Sequence, residues 1–155
     1  MPQLQSLKNN SFRITFPGKP LAVRAALARM MEQLTALQLS DGDRGNIELV
    51  LAEAMNNIVE HAYIGKPNGT VELQIMPTNN GLVCHLRDEG QPMPEGKAPT
   101  GSPVLLDCET EELPEGGFGW FLIRDMAHDL NYTRISGKNL LSFRISLDQA
   151  ELPQN

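Results

Sequence analysis

Between Arg44 and Ala62 the chain carries the apolar spacing of one long helix. Ile47, Leu51, Ala54, Ile58 and Ala62 recur three or four residues apart and line one side. Glu53, Asn57 and Glu60 fall on the other side. A helix with a single apolar stripe has to bury it against another layer of structure. The rest of the chain must therefore provide a broad apolar surface beneath it.

The flanking segments supply strands. Ser11 to Phe16 alternates, with Phe12, Ile14 and Phe16 on one face, until Pro17, Gly18 and Pro20 end the run. Leu21 to Leu39 is rich in Ala, Leu and Met at helical spacing and predicts a first helix. Ser40 to Gly45 reads as a polar break before the second. Thr70 to Met76 and Leu82 to Arg87 alternate as strands, with Asn79-Asn80-Gly81 as the hairpin signal between them. Gln91 to Gly117 is long and rich in Pro and Gly, and unstructured stretches of that length often serve as lids. Gly119 to Leu130 predicts a third helix. Asn131 to Ile135 and Leu140 to Leu147 predict a closing strand pair around Gly137. This order describes an α+β fold, a two-layer α/β sandwich in which a mixed sheet carries its helices on one face. One domain is expected over 11–148, with 1–10 and 149–155 as flexible tails.

Composition narrows the setting. The formal net charge of −6 weighs against a nucleic-acid partner, which needs clustered Lys and Arg. No apolar run approaches the roughly 20 residues of a membrane span, and the polar N-terminus lacks a signal-peptide core. Cys84 and Cys108 form no CxxC pair and read as reduced thiols. The expectation is a cytoplasmic protein with no membrane contact.

Three short stretches carry chemistry when taken together: Glu53 to Asn57, Asp88-Glu89-Gly90, and Gly116 to Gly119. Glu53 and Asn57 share a helix face. The amide oxygen of Asn57 suits Mg²⁺, which takes few protein ligands and keeps water or phosphate oxygens. Glu53, one turn away, suits a general base near a γ-phosphate. A solvated polar face accounts for the same pair. Asp88 ends a strand, where it can accept from an exocyclic amino group such as that of adenine, and Gly90 permits close backbone approach. A plain acidic turn has the same letters. Gly116, Gly117 and Gly119 precede a helical run, as phosphate-cradling glycines do, and as a flexible loop entering a helix also does. His61, one turn beyond Asn57, is placed to reach a phosphate or to cap the helix end. His85 and His128 read as ordinary strand and helix residues, and Trp120 and Phe121 as core anchors. The run from Gly90 to Lys97 is not a P-loop. Its spacing is one residue too long, Ala98 replaces the Ser or Thr, and Pro92 and Pro94 remove two backbone donors.

The run Glu53-Ala-Met-Asn-Asn-Ile-Val-Glu-His-Ala-Tyr63 resembles the N box of the gyrase and histidine-kinase type ATPase superfamily, and more narrowly that of the anti-sigma-factor serine kinases. Asp88-Glu-Gly90 with Pro92 resembles their first glycine box, and Glu115 to Ile123 their second. The match in order and spacing extends from about residue 12 to 147. The resemblance implies a Bergerat-type ATP-binding sandwich with ATP and Mg²⁺ as cofactors. It implies Asn57 as the metal ligand, Glu53 as the base, Asp88 as the adenine reader, and Gly116, Gly117 and Gly119 as phosphate-lid residues. Leu141-Ser142 stands where such proteins often place a threonine near the adenine, so Ser142 is a further candidate. Proteins of this kind phosphorylate a serine or threonine on an anti-sigma-factor antagonist, bind a sigma factor, and often form homodimers. The alternative function is a non-catalytic ATP-binding module that switches partners without phosphotransfer.

Overall fold

The computed structural model describes residues 11–63, 69–92 and 123–148. Its elements are β1 (Phe12–Pro17), α1 (Pro20–Leu34), a short 3-10 turn (Thr35–Leu37), α2 (Asp41–Ala62), β2 (Thr70–Thr78), β3 (Gly81–Asp88), β4 (Ala127–Ile135) and β5 (Lys138–Ile145). Residues 123–126, ahead of β4, are helical.

The strands form one sheet in the order β1-β2-β3-β5-β4. All four pairings are antiparallel, which replaces the expected mixed sheet. The reason lies in the connections. Two helices between β1 and β2 bring the chain back to the end where β1 stopped, so Pro17 pairs with Thr70. A single crossing helix would have delivered it to the other end and made the pair parallel. The amide of Gly18 closes that corner on the carbonyl of Gly69 at 2.9 Å.

One sheet face is apolar, and α1 and α2 pack on that side. Val71, Leu73 and Ile75 of β2, Leu82, Cys84 and Leu86 of β3, and Leu141, Phe143 and Ile145 of β5 are all buried there. They meet Val23, Leu27, Met30 and Leu34 of α1 and Ile47, Leu51, Ala54, Met55 and Ile58 of α2. The two-layer sandwich is as expected. The other sheet face is polar, crossed by Arg87, whose guanidinium bonds Glu72 and Gln74 at 3.3 Å each.

Helix boundaries move relative to the sequence reading. α1 stops at Leu34 rather than Leu39. The Thr35 hydroxyl donates to the Glu32 carbonyl at 2.7 Å, the chain tightens into the 3-10 turn, and Gln38 turns left-handed with φ 57°. α2 begins at Asp41, inside the stretch read as a break. Ser40 is its N-cap and accepts from the Asp43 amide at 3.0 Å, with Asp41 and Asp43 favourably placed in the first turn. Asp43 also accepts the amide of Asp148 at 2.8 Å, which ties the chain beyond β5 to the start of α2.

The third helix does not reach Leu130. Ala127 and His128 already pair with Ile145 and Arg144, and a bulge containing Asp129 at φ 57° follows. Met126 and Leu130 are four apart and both pack on the core. A helix end followed by a bulged strand satisfies that spacing as well as a continuous helix does. The β4–β5 hairpin closes on Ser136 and Gly137, both with positive φ, and Ile135 pairs with Lys138.

Candidate nucleotide site

Asp88 and the C-terminal end of α2 lie at the same end of the sandwich, joined through Tyr63. α2 runs through the N-box residues, and its last turn leads to Tyr63, which is buried. Asn57 is 5 % exposed. Its Nδ2 donates to the Glu53 carbonyl at 2.7 Å, an atom that only accepts, so the amide orientation is set. Its Oδ1 is consequently buried without a hydrogen-bond partner. Buried polar atoms are nearly always satisfied, and an orphan calls for an explanation. A hard oxygen of this kind fits a Mg²⁺ ion that keeps phosphate and water oxygens as its other ligands. Among the described residues no cluster of three His, Cys, Asp or Glu could hold a metal by itself.

Glu53 is half-buried on α2 one turn before Asn57. His61 lies on the last turn, exposed, with its Nε2 4.0 Å from the carboxylate of Glu60. It is therefore directed to solvent beside Glu60 and not into the buried surroundings of Asn57.

Asp88 closes β3 on the helix-covered face, in phase with Leu82, Cys84 and Leu86. Its Oδ1 accepts from the Gly90 amide and from Asn139 Nδ2, each at 2.8 Å. Among the described residues nothing bonds its Oδ2. Burial raises the carboxyl pKa, opposed by the bonds from Asn139 and Gly90 and by the Arg134 charge. A carboxylate held by one oxygen, with the other free in a partly desolvated setting, can accept from an amino group of a ligand.

Asn139 is the residue that the sequence reading missed. It is 3 % exposed and uses both ends of its amide. Nδ2 also reaches the carbonyls of Gly90 and Gln91 at 3.2 and 3.1 Å. Oδ1 accepts from the Tyr132 hydroxyl at 2.7 Å and from Arg134 at 2.8 Å. Arg134 donates in turn to the Gly90 carbonyl at 2.9 Å. A signal existed in the sequence. Asn139 is in phase with Leu141, Phe143 and Ile145, so it is a polar residue at an apolar position of its strand. Ser142 has the opposite phase. It pairs with His85 on the polar face, away from Asp88, and is not a neighbour of the Asp88 carboxylate.

Gly116, Gly117 and Gly119 lie outside the described residues, as do Cys108, Trp120, Phe121 and most of the expected lid. Cys84 is a free, fully buried thiol whose pKa is pushed up by desolvation, so it stays protonated and unreactive. No helix among the described residues is long and apolar enough to cross a membrane.

A fold with its helices on one sheet face, a buried acceptor on α2 and an acidic turn after β3 is that of a nucleotide-binding ATPase domain. Residues 16–145 match the model of the histidine kinase-like ATPase domain family, and the chain belongs to that family. Its relatives place it among the serine/threonine-protein kinases. It is 32% identical over 99 residues to the serine/threonine-protein kinase BtrW of Bordetella bronchiseptica, covering 64% of this chain and 68% of that protein. It is 27% identical over 116 residues to the serine-protein kinase RsbW of Oceanobacillus iheyensis, covering 74% and 73%. The RsbW of Bacillus subtilis is 22% identical over 134 residues, or 84% of each. The fold is also similar to part of the structure solved for the RsbU and RsbW domains of a Mycobacterium tuberculosis protein, at a TM-score of 0.60 and 16% identity. This chain is covered to 93% in that comparison and spans about a third (34%) of the solved chain.

Proposed function

We propose that this chain binds ATP with Mg²⁺ and transfers the γ-phosphoryl group to a serine or threonine hydroxyl of an antagonist protein, while also sequestering a regulatory partner such as a sigma factor. The observation that carries the reading is the buried, unpartnered Oδ1 of Asn57 on a helix that also bears Glu53. The serine/threonine-protein kinase names of the relatives support the transfer step.

Each residue has a stated task. Asp88 accepts the adenine amino group at Oδ2 while Asn139 and Gly90 hold Oδ1. Asn57 would hold Mg²⁺ through Oδ1, and the metal would supply charge neutralisation at the phosphates. Glu53 takes the proton of the attacking hydroxyl as its oxygen bonds to the γ-phosphorus. The bond from the γ-phosphorus to the β–γ bridging oxygen breaks, and ADP leaves with that oxygen.

The test has two arms. Titration with ATP and Mg²⁺ by calorimetry is expected to give saturable binding that Asp88→Asn abolishes. Absence of binding by protein free of co-purified nucleotide would overturn the site. Glu53→Ala is expected to keep ATP affinity and lose phosphotransfer to the antagonist; equal transfer by the variant would remove Glu53 from the mechanism.

A further inference from the structure

We infer that Tyr63 is a positioning residue for adenine recognition. It ties the end of the metal-binding helix to the turn that carries Asp88. This role rests on the nucleotide site proposed above, but the bonds that define it are in the fold itself. The Tyr63 hydroxyl donates to the carbonyl of Thr70 at 2.7 Å and accepts from the amide of Glu89 at 2.8 Å. One side-chain oxygen thus bridges the C-terminus of α2, the first residue of β2 and the residue immediately after Asp88.

The ring is held as firmly as the hydroxyl. Gly18 and Gly69 flank it, and a Cβ built at either glycine would collide with its carbons. The two glycines are themselves joined by the bond from the Gly18 amide to the Gly69 carbonyl. Tyr63 is 8 % exposed, although it stands just past the last helical residue. An aromatic side chain at a helix end has two rotatable bonds, so fixing the ring also fixes where the oxygen lies.

The consequence falls on Asp88. The turn Asp88-Glu89-Gly90 is pinned from two directions. Asn139 and the Gly90 amide hold the carboxylate, and Tyr63 holds the backbone of Glu89 between them. Recognition of an amino group by one carboxylate oxygen depends on placement within a fraction of an ångström. Loss of the Tyr63 hydroxyl leaves the Glu89 amide without its protein partner and lets the turn relax. In the proposed site the phosphates are held through Asn57 on α2 and the base through that turn. Tyr63 therefore governs discrimination between bases more than overall nucleotide affinity.

The experiment compares ATP with inosine triphosphate, which has a carbonyl in place of the amino group. Affinities are measured by calorimetry for wild type and Tyr63→Phe, which keeps the ring between Gly18 and Gly69. The expected result is a rise of about tenfold in the Kd for ATP, the scale of one lost hydrogen bond. The Kd for inosine triphosphate is expected to stay within about twofold on the same argument, so the preference for ATP shrinks. Equal weakening of both nucleotides, or of neither, overturns the inference. Amide exchange at Glu89 in nucleotide-free wild type is an independent check that needs no variant. Protection is expected, and exchange at the rate of an open amide overturns the inference as well. Wild type that binds neither nucleotide, with Glu89 protected, would instead sink the underlying ATP reading.

Discussion

Asn139 Nδ2 donates to Asp88 Oδ1 at 2.8 Å across the β3–β5 pairing, joining two residues 51 positions apart that face each other in register. Among the described residues, only Oδ1 of Asp88 is engaged. Asn139→Ala removes the bond from Asn139 along with one of the partners of Tyr132 and one of those of Arg134. The expected loss is about 2 kcal/mol of stability, the scale of a buried hydrogen bond to a charged group. Urea denaturation with an unchanged m-value would check it.

Asp88→Asn makes a prediction about pH. The folded protein holds this carboxyl above its ordinary value because burial disfavours the ionised form. An acid raised on folding penalises the fold only where it is ionised. Asn at this position still accepts the Gly90 and Asn139 bonds through its oxygen. Below the ordinary carboxylate range, wild type and variant should therefore melt alike. The variant should gain relative to wild type as pH rises through the raised value, and the gap should then stay constant. Paired thermal melts between pH 3.5 and 8, a window chosen about the ordinary Asp value of roughly 4, would show it. A variant less stable than wild type at neutral pH contradicts this account.

Asn57→Leu separates stability from metal use. The substitution removes a buried oxygen that has no partner and one bond to the Glu53 carbonyl. The two effects oppose each other, so stability should change by less than about 1 kcal/mol. ATP affinity should become insensitive to Mg²⁺. Titrations with and without the metal would read this, and a persisting Mg²⁺ dependence would count against Asn57 as the ligand.

Gly81→Ala tests the β2–β3 hairpin. Gly81 opens β3 at φ +132°, and a Cβ there would strike the backbone carbonyl of Ile145 on β5. Relief by side-chain motion is not available, because the obstacle is backbone. The expected cost is about 2–3 kcal/mol, within the range for strained backbone positions. Chemical denaturation would measure it.

The pattern of the chain was sufficient for the layers. Alternation at Phe12 to Phe16, Thr70 to Met76 and Leu82 to Arg87 and the helical stripe from Ile47 to Ala62 all lie in the elements expected. Burial on one side is periodic, and period alone distinguishes strand from helix. The reading failed where period was ambiguous. Met126 and Leu130 fit a helix or a bulged strand, and Ser40 fits a break or a cap.

What sequence alone determined was the two-layer architecture and the positions of Glu53 and Asn57 on α2 and of Asp88 at the end of β3. What only the tertiary structure decided was which of them have partners. Strand register places Asn139 opposite Asp88 and turns Ser142 to the far face. The bond from Asn57 to Glu53 leaves one oxygen orphaned, and Tyr63 reaches Glu89 from 26 positions away. Local spacing sets which face a residue occupies. Distances across a sheet depend on how hairpins and helices bring remote segments together, and no short window of sequence contains that information.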